Sequence, residues 1–224
     1  MSALYVYALA RAFPADEGLP SGATLTLLDC DGIEAAVGPV TSAPVADAAG
    51  LRAHDAVVRR LHETAPSVLP MRFGCVVRDE ATLRAWVETV RPILEHGLDL
   101  VKDREQMVLR IYGDAAPGAP DEPDQRDDHR GTRYLMNRRQ ASFPEELGRG
   151  MEALRARLSD LVQAERLERH ETPPLIATLR HLVPRDASEA YRGAVAGQIP
   201  GFEHVTLRVS GPWPPYAFTP EEIS

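Results

Sequence analysis

The sequence predicts an α+β protein made of two small domains, the second of them ferredoxin-like. Three observations carry this reading. Short alternating apolar runs open the chain; amphipathic helical patterns follow from Ala48 and Asp79; and from Arg104 onward a strand, a long helix, a strand region, a helix and a strand succeed one another. A boundary between residues 102 and 103 gives domains 1–102 and 103–224, which suits a chain of 224 residues. The βαββαβ order needs one more strand after the long helix, and the sequence marks it poorly.

Leu4 to Ala10 is rich in β-branched and aromatic residues and reads as the first strand, with Pro14, Gly18, Pro20 and Gly22 marking the loop after it. Thr24 to Cys30 is a second strand, and Asp31-Gly32 is a hairpin turn leading into Ile33 to Val40. Gly38-Pro39 interrupts that third strand and predicts a bulge or an edge position. Leu51, His54, Val57, Val58 and Leu61 then recur at helical spacing.

Val68 to Val77 is the apolar run around which the first domain is organised, and it carries one cation, Arg72. A guanidinium there must reach water or find acceptors, so burial against backbone carbonyls or an acid such as Glu105 is expected. Asp79 caps a helix with Leu83, Trp86, Val87 and Val90 on one face, which Pro92 ends or kinks; Pro92 equally suits the start of a short helix that Gly97 stops.

Arg104 to Tyr112 alternates as a half-buried strand. An acidic, proline-rich loop, residues 113–131, follows; its Asp121, Glu122, Asp124, Asp127 and Asp128 match no calcium loop and read as solvated charge. A helix begins at Tyr134 and Leu135, and a longer one after Pro144 carries Leu147, Met151, Leu154, Leu158 and Leu161 at heptad spacing. That seam either packs on the domain's own sheet or meets a partner. Thr172 to Val183 is strand-like, Asp186 with Glu189 forms a capping box for a helix ended by Gly197, and Val205, Leu207 and Val209 alternate in a last strand. The Pro/aromatic tail 211–218 is expected to leave the sheet as polyproline II, with Trp213, Tyr216 and Phe218 packing back on the fold or serving as a docking tail.

The net charge of -8 argues against a nucleic-acid partner. Cys30 and Cys75 lack CxxC pairing and read as buried apolar residues in a reducing compartment. The N-terminus has no signal-peptide pattern and no apolar run is long enough to span a bilayer, so a cytoplasmic protein without a membrane partner is expected. Walker, GxSxG and HExxH motifs are absent, His54 and His62 lie too far apart to clamp one metal, and no carboxylate stands at obvious spacing from His181 or His204. No catalytic residue, cofactor or metal is assigned.

Two strings carry a family resemblance. His54, Val57, Val58 and Leu61 followed by Val68-Leu69-Pro70-Met71-Arg72-Phe73-Gly74 resemble the H..VV..L and VLP.RFG signature of the gas vesicle accessory proteins F and L, and Gly211-Pro212-Trp213-Pro214-Pro215-Tyr216-Ala217-Phe218 is similar to that family's GP.PPY.F ending. The order of elements between them also fits. Cys75 departs from the pattern, standing where a small hydroxyl residue is expected. The resemblance implies an accessory or minor structural protein of the gas vesicle. Its expected partners are the hydrophobic major shell protein, kept from aggregating before assembly, and other accessory proteins. His54, Leu69, Pro70, Arg72, Phe73, Gly74, Gly211, Pro212, Pro215, Tyr216 and Phe218 are expected to be structural, with Leu147, Met151, Leu154, Leu158 and Trp213 as partner contacts. The rival is a small-molecule enzyme or ligand-sensing module, which a pocket lined by His54, Arg72 and Glu105 would favour.

Overall fold

In the computed structural model, residues 3–13, 25–42, 44–113, 145 and 147–221 are described. The expected loop at Pro14 to Gly22, the acidic stretch beyond Gly113 and the helix starts at Tyr134 and Pro144 lie outside them. The chain divides into two compact units, one running through Gln106 and taken up again at Pro212, the other Met107–Gly211. The tail expected with the second domain therefore packs with the first.

In the first unit, β1 (Ala3–Ala10), β2 (Thr26–Asp29) and β3 (Glu34–Val40) are joined by β4 (Val68–Pro70) and β5 (Val76–Val77) in one antiparallel sheet, ordered β2-β3-β1-β4 with β5 also on β1. The β2–β3 hairpin turns on Asp31 and Gly32, both at positive φ (57° and 87°), the geometry whose twist suits two adjacent strands. β3 is an inner strand, not an edge. Pro39 is tolerated because β2 pairs only Glu34 to Val37, so its missing N–H falls beyond that ladder. The bulge lies on β1, where the register against β3 shifts between Val6 and Ala8.

Helix α1 (Ala48–Thr64) is capped by Asp47, whose carboxylate accepts the Gly50 N–H at 2.7 Å, and it buries His54, Val57, Val58 and Leu61. Leu51, expected on that stripe, is 48% exposed. Helix α2 (Glu80–Val101) is capped by Asp79 and runs unbroken through Pro92, burying Leu83, Val87, Leu94 and Leu98. Pro92 and Glu88, whose carbonyl the proline frees, are both exposed, so the break in the hydrogen-bond ladder falls on the helix's outer face. Gly97 is no stop: it lies mid-helix, where a Cβ would come within 3.2 Å of Leu69 and Pro220 side chains.

The second unit has the expected order: β6 (Arg104–Gly113), α3 (residues 147–158), β7 (Ala164–Arg169), β8 (Leu175–Pro184), α4 (Ser188–Ala196) and β9 (Val205–Trp213). The sheet runs β7-β8-β6-β9, the ferredoxin-like arrangement. The missing strand is β7. Its core joins Met107, Leu109 and Ile111 of β6 to Met151, Leu154 and Leu158 of α3 and Tyr191 and Val195 of α4. Two local expectations fail. The helix α4 starts after Ala187 with no side-chain cap, so Asp186 and Glu189 form no capping box. And β9 continues through Gly211 and Pro212 to Trp213 before a single 3-10 turn, Tyr216–Phe218, so the tail does not leave the sheet at Gly211. An edge position lets Pro212 remain in a strand.

Close packing of α3 gives a test. A Cβ at Gly150 would clash with the Phe202 ring and lie 3.0 Å from the Gly201 backbone. Gly150→Ala should destabilise the chain by about 1–3 kcal/mol in denaturant unfolding, overriding the ~1 kcal/mol by which alanine favours a helix; a more stable variant would show that the ring moves aside freely.

Candidate functional site

The two signature strings meet in the first unit. β4 and β5 are two pieces of one edge strand, both paired with β1, and residues 71–75 leave the ladder between them. The backbone is pinned on either side, Met71 N–H to the Tyr7 carbonyl and Val6 N–H to the Cys75 carbonyl, both at 2.9 Å. Gly74 turns the loop at φ 94°, a value that a side chain would strain.

His54 holds the loop. Its Nε2 lies 3.1 Å from the Met71 carbonyl, which can only accept, so Nε2 carries the proton. Nδ1 is then an acceptor, and the Tyr5 hydroxyl 2.8 Å away donates to it. The Tyr5 oxygen in turn accepts the Gly74 N–H at 3.2 Å. Tyr7 stacks on the imidazole at 5.6 Å, and Tyr5 and Phe73 meet it edge-on. Burial pushes the His54 pKa down and the Tyr5 pKa up, which keeps both neutral.

Arg72 is exposed, against expectation. The interruption of the strand places it on the loop, where its guanidinium reaches water, and among the described residues it enters no ion pair. Leu69 and Pro70 are buried, and Phe73 is half-buried with its ring against Gly50. The C-terminal string closes over the same strand: Thr219 Oγ1 donates to the Pro70 carbonyl at 3.0 Å, Ala217 N–H to Gln106 Oε1 at 2.8 Å, and the Tyr216 hydroxyl to Asp55 Oδ1 at 3.3 Å. Phe218 and Pro215 are buried, and the Arg59 guanidinium lies 4.2 Å above the Trp213 ring. Gly211 and Pro212 lie in β9, upstream of this contact.

The expected partner contacts fare differently. Met151, Leu154 and Leu158 are buried in their own unit's core and Leu147 packs against it, which leaves the heptad seam no free face. Trp213 stays half-exposed. His54 and Glu105 are buried while Arg72 is exposed, and the two prominent cavities, both in the second unit, are lined by other residues.

A polar chain in the second unit escaped the sequence reading. Arg155 of α3 pairs with Glu165 of β7 at 2.6 Å, Glu165 accepts from His181 Nε2 of β8 at 3.0 Å, and the Tyr191 hydroxyl of α4 donates to His181 Nδ1 at 2.6 Å. Glu165 and His181 are direct cross-strand partners, a relation hidden while β7 went unrecognised. Burial lowers the His181 pKa against the pull of Glu165, and it raises that of Tyr191. Burial also works to raise Glu165, but the hydrogen bonds from Arg155 and His181 together hold it below its ordinary value. An open cavity of about 290 Å³ adjoins this array. Among the described residues no three His, Cys, Asp or Glu side chains are grouped to hold a metal, and no helix is long and apolar enough to cross a membrane.

Two measurements probe these networks. Tyr5→Phe strands the His54 Nδ1 and the Gly74 N–H, and should cost about 1–3 kcal/mol in unfolding experiments; an unchanged midpoint would remove the hydroxyl from the structural core. Because His54 and His181 are held below the ordinary histidine value, the unfolded chain takes up protons first as pH falls through about 6.5. Stability should therefore decline from about pH 7 to 5, and further below that as Glu165, whose contribution is present above its unfolded value, is protonated. His181→Gln should show a smaller decline over the upper range, and a slope equal to wild type would mean that this histidine titrates normally.

Comparison with known proteins places these features. The model of the gas vesicle synthesis protein GvpL/GvpF family matches residues 3–220. Gas vesicle protein L of Streptomyces sp. (strain CB03234) is 28% identical, over 96% of this chain and 91% of its own. Gas vesicle protein F2 of Halobacterium salinarum is 24% identical over 80% and 71%, respectively. The crystal structure of GvpF from Anabaena sp. PCC7120 shares the fold, with a TM-score of 0.76 at 17% identity across 98% of this chain and 97% of that one; that of GvpF from Microcystis aeruginosa gives 0.74 at 16%. The chain belongs to the GvpL/GvpF family of gas vesicle proteins.

Proposed function

We propose that this chain is a non-catalytic accessory or minor structural protein that binds the hydrophobic major shell protein, with other accessory proteins, and prevents its aggregation during nucleation and assembly of the gas vesicle in the cytoplasm. The observation that carries the reading is how the signature residues are used. The polar side-chain atoms of His54 and Tyr216, with those of Tyr5 and Thr219 outside the signature strings, are engaged in holding the interrupted strand and the tail. Among the groups the unit leaves outward are the Arg72 cation and isolated apolar side chains, Val45 at 76%, Leu51 at 48% and Ile93 at 36% exposure. Those are groups that recognise a partner by contact. A shell subunit built to pack through apolar surface self-associates when free, and a soluble acidic carrier that covers such surface slows that without an energy source.

One observation favours the rival reading of a small-molecule or ligand-sensing module: the Arg155–Glu165–His181–Tyr191 array beside its cavity. A metabolite screen by thermal shift would support it if a compound raised the Tm of the wild type and not of Glu165→Gln.

The main reading is tested by light scattering of the diluted shell protein with and without the purified chain. Suppressed scattering at stoichiometric ratios is expected, and scattering that does not change removes the carrier role. Arg72→Ala should alter stability by no more than about 0.5 kcal/mol, as for an exposed side chain, while weakening shell-protein binding. A loss of 3–5 kcal/mol, the cost of breaking a buried pair, would return Arg72 to a structural role.

A further inference from the structure

Helix α4 has only 9 residues and starts without a side-chain cap. So short a helix persists through its tertiary contacts rather than through its own hydrogen bonds. It buries two side chains, Tyr191 and Val195. Val195 offers apolar area alone, whereas the Tyr191 hydroxyl also bonds His181 Nδ1 at 2.6 Å. Tyr191 is fully buried, and its hydroxyl has no second acceptor among the described residues.

The direction of that bond is forced. His181 Nε2 lies 3.0 Å from Glu165, a carboxylate held ionised at neutral pH, so Nε2 carries the proton and Nδ1 accepts. A further proton can therefore enter only at Nδ1. The Tyr191 hydroxyl would then become the acceptor and turn its own proton into a core of apolar side chains, Met107, Leu109 and Val195 among them. The charges that face the ring come from two elements, Glu165 of β7 and Arg155 of α3, which pair at 2.6 Å. On α4, Glu189 and Arg192 pair with each other, and β6 packs only Met107, Leu109 and Ile111 into this core. Burial and Arg155 oppose a charge on the ring, Glu165 favours it, and the opposition prevails.

We propose that His181 and Tyr191 form a proton-sensitive latch on α4: a proton on Nδ1 removes the acceptor that the Tyr191 hydroxyl depends on, and the helix detaches while the sheet stays formed. The released state takes up a proton that the latched state refuses. The latch therefore holds above about pH 6.5, the ordinary histidine value, and the released population grows by up to about tenfold per pH unit below it. Glu165 is held below its ordinary value and stays ionised through that range.

Amide hydrogen exchange of the full-length chain at pH 7.5, 6.5 and 5.5, each rate divided by its intrinsic value, tests the latch. Opening at Tyr191 to Ala196 should increase by about five- to tenfold between the first pH and the last, and at pH 5.5 it should exceed opening at Met107 to Ile111 of β6. In His181→Gln the α4 amides should show no such rise, and in Tyr191→Phe, which lacks the hydroxyl, most of the rise should be lost. Opening at α4 that ignores pH, or that matches β6 at every pH, overturns the latch. Should the variants fail to fold, the ring nitrogen shifts of wild-type His181 decide: a neutral ring protonated at Nε2 supports the latch, and one protonated at Nδ1 rejects it.

Discussion

The first unit depends on the imidazole of His54. An edge strand that breaks between Pro70 and Val76 exposes backbone groups with no ladder to receive them, and burial makes each costly unless a side chain stands in. One rigid ring does this by offering a donor on one side to the Met71 carbonyl and an acceptor on the other to Tyr5, which relays the bond to Gly74. Only the neutral tautomer fits, and burial enforces it. The C-terminal string then covers the same strand through Thr219 and Pro70, a contact across 149 positions of sequence. The two motifs are therefore parts of one packing arrangement, which explains why they occur together.

Much of this was legible where periodicity is strong. α1 and α2, their aspartate caps and the Asp31-Gly32 hairpin follow from local spacing, and so does the order of elements from β6 to β9. The exposure of Arg72 is hidden in the sequence because its apolar neighbours mimic one continuous strand, whereas the chain leaves the ladder between Pro70 and Val76. β7 was illegible for a different reason. Ala164-Glu165-Arg166-Leu167-Glu168-Arg169 is made of good helix formers, and only its pairing with β8 makes it extended. Without β7 the Glu165–His181 pair had no spacing to betray it.

That pair does more than fill a gap in the fold. The chain from Arg155 through Glu165 and His181 to Tyr191 touches α3, β7, β8 and α4 in turn, so a single set of hydrogen bonds fixes how both helices meet two strands. A slip of one residue between β7 and β8 would carry Glu165 to the opposite face and leave His181 and Arg155 without their carboxylate. For a strand with so little apolar content, this polar registration replaces the hydrophobic pattern that usually sets pairing.

The same bonding fixes the protons of both histidines. Nδ1 of His54 receives the Tyr5 hydroxyl and Nδ1 of His181 receives that of Tyr191, while both Nε2–H groups are donated to fixed oxygens. Both tyrosines are held neutral by burial. Each ring is thus held in one tautomer and one orientation by partners from separate elements. Elsewhere the described residues expose the Arg72 cation on its loop and single apolar side chains such as Val45 and Leu51. Exposed groups of this kind distinguish partners by charge and apolar area, and they support the contact role proposed above.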